Sequence, residues 1–372
     1  MVSEFEIFLT TPPGLESYML AEAKQAGFKR PKATGGGVTI WGDWNEVWRA
    51  NLTLRGASKV LARIGEFRAF HLAQLDKRSR KFPWQDVLTK DHKVKVEVAT
   101  NRKSKIYHAG AAIERIERAI KEELGAKIAT GMEDAEIVVK ARIDDNNVRL
   151  SVDTSGEGLH KRGHKQAMGK APMRETMAAL ALHACGYSGN ETVLDPMCGS
   201  GTFLIEAAEI SRNFMAGRSR SFAFEKLVTF DPAKVQSIRD SWQTRESTQK
   251  FYGSDRNVNV IGFANANAER AGVEDLCKFK PVPLSAVERP DGPPGLVMVN
   301  PPYGARVGKK KDLFALYSAF GNVMREHFSG WRVGMITADT RLAEATKLDW
   351  LPTGPPIAHG GLKVKLFRTD IL

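Results

Sequence analysis

The chain is a basic protein of 372 residues, of which 42% are hydrophobic, so it is long enough to form two or more domains with separate cores. Its formal net charge of +12 is typical of proteins that bind polyanions such as nucleic acids. No apolar run is long enough to cross a membrane, and the N-terminus lacks the basic start and apolar stretch of a signal peptide. We therefore expect no membrane partner. We also expect the protein to be a monomer.

The three cysteines, Cys185, Cys198 and Cys277, are few and form no C-x-x-C pair. Such sparse usage is typical of a reducing compartment and argues against both a disulfide framework and a zinc site. We therefore expect a cytoplasmic protein that uses no metal.

Short strands and amphipathic helices share the first 155 residues. Strands are predicted at residues 5–11, 38–41, 93–99, 136–143 and 148–153, and the last two are joined by a hairpin turn, DDNN. One helix is predicted after Pro12-Pro13-Gly14, another after Asp43, which can cap it, and a third over residues 109–124. This mixture is typical of α+β modules.

A break rich in glycine and basic residues spans residues 156–172, and regular alternation of strands and helices follows it. Strands are predicted at Thr192–Leu194, Lys250–Gly253, Leu296–Val299 and Trp331–Thr337, with a first helix at Arg174–Ala184. Alternation of this kind predicts an α/β fold with a doubly wound, mostly parallel sheet. In such sheets, ligands bind at the carboxyl ends of the strands.

The segment VLDPMCGSGT (Val193–Thr202) leads from the first of these strands into an apolar helix. Gly199 and Gly201 allow the backbone to approach a ligand closely, and Asp195 favours a cationic group over a pyrophosphate. S-adenosylmethionine (SAM), which has an ammonium and a sulfonium, fits this pattern. Asp255 stands at the end of the next strand, where a carboxylate can accept hydrogen bonds from ribose hydroxyls.

Residues 209–250 form an insertion in which Arg218 and Arg220 alternate with Phe214, Phe222 and Phe224. Two interpretations remain open. The segment either contacts RNA through charge and stacking or covers the edge of the sheet.

The apolar strand Leu296–Val299 ends abruptly at Asn300, Pro301, Pro302 and Tyr303. Two prolines fix the turn, so that the Asn300 side chain and the Pro301 carbonyl can accept hydrogen bonds from an exocyclic amine. Tyr303 can stack on the flat base that carries this amine. Such a loop predicts methyl transfer to a planar amine, without a metal or a strong general base.

Three motifs, LDPMCGSGTFLIEAA, GSDR and NPPYGARVG, together resemble class I SAM-dependent methyltransferases that act on exocyclic amino groups. The segments GEGLHKRGHK, APMRETMAA and FAFEKL narrow the resemblance to bacterial 23S rRNA guanine-N2 methyltransferases with an N-terminal THUMP domain, the RlmL/YpsC-like branch. Softer matches, such as GLESYMLAEAKQAGF and SKIYHAGAAIERI, extend it over the first half.

The resemblance implies an α/β, Rossmann-like methyltransferase domain preceded by an α+β ferredoxin-like and THUMP region. It implies a ferredoxin-like segment at 1–60, a THUMP RNA-binding domain at 61–155, a basic linker at 156–171 and the methyltransferase domain at 172–372. It assigns to the target amine Asn300, Pro301, Pro302 and Tyr303. It assigns to SAM Asp195, Pro196, Cys198, Gly199, Gly201, Thr202 and Asp255, and to the wall of the same pocket Pro172, Met173 and Glu175.

One position departs from the family pattern. After the third strand the family usually has an Asp near the adenine amino group, whereas Pro283 stands there in this chain. Either a neighbouring backbone carbonyl takes that role, or the affinity for SAM is reduced.

Two groups of basic residues are expected to contact RNA. They are Arg102, Lys103 and Lys105 after a predicted strand, and His160, Lys161, Arg162 and Lys165 in the linker. The favoured function is guanine-N2 methylation of RNA, and the favoured RNA is 23S rRNA. The alternatives are a tRNA guanine-N2 methyltransferase, another amino methyltransferase acting on DNA adenine or protein glutamine, and a catalytically weak RNA-binding assembly factor.

Overall fold

The computed structural model describes residues 4–166, 173–303 and 310–372. The chain divides into two compact units. The first comprises the chain up to Thr10, Ala23–Leu159 and Arg220–Ser241, and the second comprises Thr11–Glu22, His160–Ser219 and Trp242–Leu372.

The described strands and helices follow the predicted pattern, with a mixture of both in the first half and alternation in the second. The strands are β1 (Phe5–Thr10), β2 (Lys29–Thr34), β3 (Gly37–Gly42), β4 (Lys59–Arg68), β5 (Lys93–Thr100), β6 (Lys127–Ile128), β7 (Ile137–Asp144), β8 (Asn147–Asp153), β9 (Val193–Asp195), β10 (Phe251–Ser254), β11 (Cys277–Lys280), β12 (Leu296–Val299), β13 (Arg332–Thr337), β14 (Ile357–His359) and β15 (Leu362–Arg368). The helices are α1 (Glu16–Gln25), α2 (Trp44–Thr53), α3 (Leu72–Arg80), α4 (Ala109–Leu124), α5 (Glu175–Ala184), α6 (Thr202–Ser211), α7 (Pro232–Ser241), α8 (Val258–Ala271), α9 (Lys310–His327) and α10 (Thr340–Ala345).

The first unit contains one sheet in the order β2-β3-β1-β4-β8-β7-β5-β6. β5 runs parallel to β6 and β7, and the other pairs are antiparallel. The Asp43 side chain accepts hydrogen bonds from the backbone nitrogens of Asn45 and Glu46, so it caps α2 as predicted. Ile116 and Ile120 of α4 are fully buried, as the helical spacing requires.

The turn between β7 and β8 contains Asp145 and Asn146, which have φ angles of 47° and 59°. Asn and Asp tolerate this left-handed conformation better than other side chains, which is why the DDNN signature gives a tight hairpin. Asn146 is buried, and its backbone oxygen accepts a hydrogen bond from the backbone nitrogen of Ala69 at 2.9 Å. The turn therefore also fixes the chain that follows β4.

The second unit contains a sheet in the order β11-β10-β9-β12-β13-β15-β14. The first five strands in this order run parallel, and β15 pairs antiparallel with both β13 and β14. The chain order therefore reverses between β9 and β12, and a ligand is expected at the carboxyl ends there. All four residues of β12 are fully buried, as their unbroken apolar run predicts for a central parallel strand.

The two units cut across the predicted domain boundaries. Residues 156–159 belong to the first unit and residues 160–166 to the second, so the predicted linker is divided. Arg220–Ser241, expected within the methyltransferase domain, belongs to the first unit. There Arg220 donates to the backbone oxygens of Ser155, Glu157 and Gly158.

Candidate functional site

The loop between β9 and α6 has the backbone conformation that its glycines predict. Gly199 and Gly201 have φ angles of 52° and 83°, and a Cβ on Gly201 would lie 2.9 Å from Cζ of Phe279. A Cβ on Gly199 would meet no atom within 4 Å, so the backbone there borders open space. Both glycines are therefore required, one by packing and one by a conformation that leaves room for a ligand.

Asp195 and Asp255 lie at the carboxyl ends of the neighbouring strands β9 and β10. Asp255 Oδ2 accepts a hydrogen bond from the Gly199 nitrogen at 3.2 Å, and Oδ1 accepts one from the Asn257 nitrogen at 2.9 Å. Asp195 is buried, with Oδ1 3.0 Å from the Met197 nitrogen. Burial raises the pKa of Asp195 well above its usual range, and the nearby Asp255 carboxylate raises it further.

No Lys, Arg or His side chain in the described part of the chain forms an ion pair with Asp195 or Asp255. Two carboxylates at one sheet edge without a paired cation favour a positively charged ligand. The residues present therefore fit the ammonium and ribose of SAM. Pro196 and Cys198 are buried beside them, and burial raises the pKa of the Cys198 thiol, so it packs as a neutral group.

Lys165 joins several residues expected to bind the cofactor. Its ammonium donates to Thr202 Oγ1 at 2.9 Å and to the Met173 carbonyl at 2.7 Å, and it lies 3.3 Å from Glu175 Oε1. Thr202, Met173 and Glu175 are all buried. The Lys165 ammonium is therefore engaged within the second unit, and its contact with RNA stays a prediction.

Arg162, which was also predicted to contact RNA, is buried in the second unit. It is 1% exposed and donates from Nε to Glu206 Oε1 at 3.0 Å, so its guanidinium is unavailable to RNA. Glu206 and Glu209 lie three residues apart on the buried helix α6, and Glu209 pairs with Arg218. Two acids in an otherwise apolar helix indicate that buried cations must reach them. The predicted linker supplies one of these cations.

The remaining basic residues occupy different environments. Lys161 is exposed, and His160 is half-buried. Burial, together with neighbouring cations, lowers the pKa of His160 to about 4. Arg102, Lys103 and Lys105 are exposed on the first unit, and their RNA contacts stay predictions.

The loop after β12 contains a buried acceptor. Asn300 Oδ1 has no hydrogen-bond partner among the residues that the structure describes. Buried amide oxygens are rarely unpaired, so this atom is a candidate for contact with a ligand. Tyr303 packs against the core of the second unit, and burial raises the pKa of its phenol.

Tyr317 on α9 supports this loop and was missed in the sequence. Its hydroxyl lies 3.3 Å from the Pro302 carbonyl and 3.0 Å from Thr337 Oγ1 on β13. An isolated Tyr on the apolar face of a helix gives no signal of such a role.

Three other predictions have simple outcomes. Pro172 lies outside the described residues. Pro283 precedes a short 3-10 turn at Leu284–Ala286, and its carbonyl accepts a hydrogen bond from the Ala286 nitrogen at 2.9 Å. Phe222 and Phe224 of the insertion are buried in the first unit and stacked with ring centroids 4.9 Å apart, so these two rings do not offer a free face to RNA bases.

The described residues include neither a candidate metal cluster nor a candidate membrane-spanning helix. No three His, Cys, Asp or Glu side chains there are grouped so that they could hold a metal ion. None of the helices described is long and apolar enough to cross a membrane.

The sequence matches three family models in chain order. Residues 6–61 match an RlmL ferredoxin-like domain, residues 71–153 a THUMP domain, and residues 162–351 an RMKL-like methyltransferase domain. The last match covers half of the chain. The chain belongs to the RMKL-like methyltransferase family. The predicted resemblance and fold class are therefore confirmed.

Individual relatives agree with this assignment. The ribosomal RNA large subunit methyltransferase K/L of Psychromonas ingrahamii is 32% identical over 348 residues, which are 90% of this chain and 46% of the relative. The chain spans about half the length of the curated relatives it matches.

Two solved structures are similar over the whole chain. One is a putative methyltransferase complexed with SAH, with a TM-score of 0.88, 26% identity and coverage of 100% of this chain and 99% of that one. The other is a predicted N6-adenine-specific DNA methylase from Listeria monocytogenes, with a TM-score of 0.88, 28% identity and coverage of 100% and 97%.

Proposed function

We propose that this protein transfers a methyl group from SAM to the exocyclic N2 amine of a guanine in RNA, with 23S rRNA as the favoured substrate. The observation that carries the proposal is Asn300 Oδ1, a buried acceptor without a partner in the described residues, at the end of the central strand β12. An exocyclic NH2 group supplies the hydrogen-bond donors that such an acceptor lacks.

Asn300 acts by orienting the amine. Its side-chain oxygen accepts one N–H, and the Pro301 carbonyl accepts the other. The nitrogen lone pair is thereby directed away from both acceptors and toward the methyl donor. The Tyr317 hydroxyl holds the Pro302 carbonyl, so that the acceptors are in position before the substrate arrives. Tyr303 offers its ring to the face of the base.

The residues of the β9 and β10 ends serve the cofactor. SAM supplies an electrophilic methyl group when it is bound. Asp255 orients the loop through Gly199 and retains lone pairs for the ribose hydroxyls. Asp195, Gly199 and Gly201 border the space for its amino-acid end, and Thr202, Met173 and Glu175 form a wall fixed by Lys165.

The choice of RNA rests on the relatives, and the choice of guanine N2 rests on the resemblance of the sequence motifs. Proteins named ribosomal RNA large subunit methyltransferase K/L match 90% of this chain, and the THUMP match at residues 71–153 supports an RNA substrate. We propose functional segments at 1–60, 61–155, 156–171 and 172–372, in a monomeric cytoplasmic enzyme. A DNA adenine is an alternative, since one similar structure is named a DNA methylase.

The proposal is tested by mass spectrometry of nucleosides from purified 23S rRNA, 16S rRNA and tRNA of a strain that lacks the protein. Loss of N2-methylguanosine from one 23S rRNA fragment is expected, with restoration by the wild-type gene and no restoration by Asn300→Ala. Loss of N2-methylguanosine from tRNA alone would show that the substrate is tRNA and not rRNA. Unchanged N2-methylguanosine in every RNA would contradict the proposal.

A further inference from the structure

An exposed phenylalanine on the first unit lies close to two cations. The Phe70 side chain is 40% exposed, and both the Arg68 guanidinium carbon and the Lys105 ammonium lie 5.7 Å from its ring centroid. Tyr107, two residues after Lys105, is 73% exposed. Single exposed aromatics are common, but an exposed ring beside two cations, with a second exposed aromatic close to one of them in sequence, is typical of surfaces on which bases stack.

The ring is continuous with a cationic cavity. Arg68 Nη2 donates to the Asp145 carbonyl at 3.3 Å, and Asp145 borders a cavity of about 530 Å³. The other residues that line this cavity are Lys103, Arg142, Asp144, Asn147 and Arg149. Arg142 and Arg149 face each other across β7 and β8. Each also lies near a carboxylate, Arg142 3.7 Å from Asp144 and Arg149 3.4 Å from Glu66. Surface ion pairs of this kind are weak, so both guanidinium groups can still turn to a bound phosphate.

One residue holds these parts together. Asn146 Oδ1 accepts a hydrogen bond from the Lys105 nitrogen at 2.9 Å, and its backbone nitrogen donates to Ser104 Oγ at 3.4 Å. Its carbonyl accepts from the Ala69 nitrogen, next to Phe70. The loop that carries Lys105 and the turn that carries Phe70 are therefore fixed relative to each other before any ligand binds, which lowers the entropic cost of binding.

We propose that Arg68, Phe70 and Lys105, with the cavity beside them, form a binding site for an unpaired nucleotide of RNA. Phe70 stacks on the base, and the cavity arginines contact the adjacent phosphates. A base within a duplex already has both faces covered, so the ring selects single-stranded segments. The inference rests on the proposed function for its choice of RNA and narrows the substrate to RNA that contains an unpaired segment.

The test measures fluorescence anisotropy of the full chain with a labelled oligouridylate and with a blunt RNA duplex of the same length. Phe70→Ala is expected to weaken oligouridylate binding by about tenfold and to change duplex binding much less. Phe70→Trp should retain the affinity. Phe263→Ala is the matched control, since Phe263 is 37% exposed on the second unit, and it should bind like the wild type.

Charge is tested separately. Arg149→Gln should reduce the slope of log affinity against log salt by about 0.7, the value for one phosphate of a single strand. If Phe70→Ala fails to fold, Phe70→Leu removes the ring and keeps an apolar side chain, with the same expected loss. Wild-type oligouridylate binding by folded Phe70→Ala or Phe70→Leu would overturn the inference, as would an equal loss for the duplex.

The two proposals fail in different ways. If the chain methylates RNA and Phe70→Ala binds oligouridylate normally, only the stacking site is wrong. If Phe70→Ala loses oligouridylate selectively while no RNA is methylated by the wild type, only the methyl-transfer proposal is wrong.

Discussion

Asp255 Oδ2 lies 3.2 Å from the backbone nitrogen of Gly199, so the carboxylate at the end of β10 holds the glycine loop that follows β9. The backbone of this loop is further fixed by a hydrogen bond from the Cys198 nitrogen to the Ser254 carbonyl at 2.9 Å. The residue assigned to the ribose is thus also a support for the loop assigned to the methionine end. A change at Asp255 should therefore affect both parts of the cofactor.

Asp255→Ala is expected to weaken SAM binding by about tenfold or more, because charged hydrogen bonds of this kind contribute about 1.5–3 kcal/mol. Asp255→Asn retains an acceptor for the Gly199 nitrogen and should give a smaller loss. Isothermal titration calorimetry measures both. An unchanged SAM dissociation constant in Asp255→Ala would refute the assignment.

Lys165, which pairs with the buried Glu175, and Lys363, an exposed lysine of β15, both lie in the second unit and form a matched pair. Lys165→Met leaves Glu175 buried without its cation, so it should lower the free energy of unfolding by about 3 kcal/mol and weaken SAM binding. Lys363→Met, at an exposed position, should leave both unchanged. Urea unfolding and calorimetry provide the readouts, and Lys165→Arg should recover part of the stability. SAM affinity that is equal in Lys165→Met and wild type would contradict this role.

Tyr317→Phe removes the hydroxyl that contacts Pro302 and Thr337. We expect a loss of about 1 kcal/mol in stability and a severalfold lower kcat, because the acceptors beside the amine are held less firmly. The KM for SAM should not change. A methyl-transfer rate equal to that of the wild type under single-turnover conditions would remove Tyr317 from the site.

His160 should make stability depend on pH. Burial and nearby cations lower its pKa from the ordinary 6.5 to about 4 in the folded state. The unfolded chain therefore binds a proton more readily than the folded chain. His160 does not lower the free energy of unfolding above pH 6.5, and it lowers it progressively as the pH decreases toward about 4. Thermal melts should show a smaller decrease over this window in His160→Gln than in the wild type. Parallel curves would exclude the contribution.

Much of the fold follows from local patterns in the sequence. The strict alternation of Lys93–Ala99 predicted β5, and the DDNN signature predicted the β7–β8 hairpin, because side-chain period and turn chemistry are local properties. The buried run of β12 and the loop glycines were also recognisable, since burial on both faces and positive φ each restrict the residue type.

The rest depends on contacts between distant segments. GLHKRGHK is a polar string, and nothing local distinguishes exposed Lys161 from buried Arg162, whose partner Glu206 is 44 residues away. The insertion gave no sign that Arg220–Ser241 belongs to the first unit. Charged residues inside an apolar helix such as α6 are the one available signal, and it indicates a need for partners without identifying them.

The central claim is that Asn300 orients the target amine and does not bind the cofactor. Its direct test compares Asn300→Ala and Asn300→Asp with the wild type in two measurements, calorimetric SAM binding and methyl transfer to 23S rRNA from the deletion strain. The account predicts normal SAM affinity in both variants, a loss of methyl transfer of about a hundredfold or more in Asn300→Ala, and partial activity in Asn300→Asp, which retains an acceptor oxygen. Methyl transfer near the wild-type rate in Asn300→Ala, or loss of its SAM binding, would contradict the account.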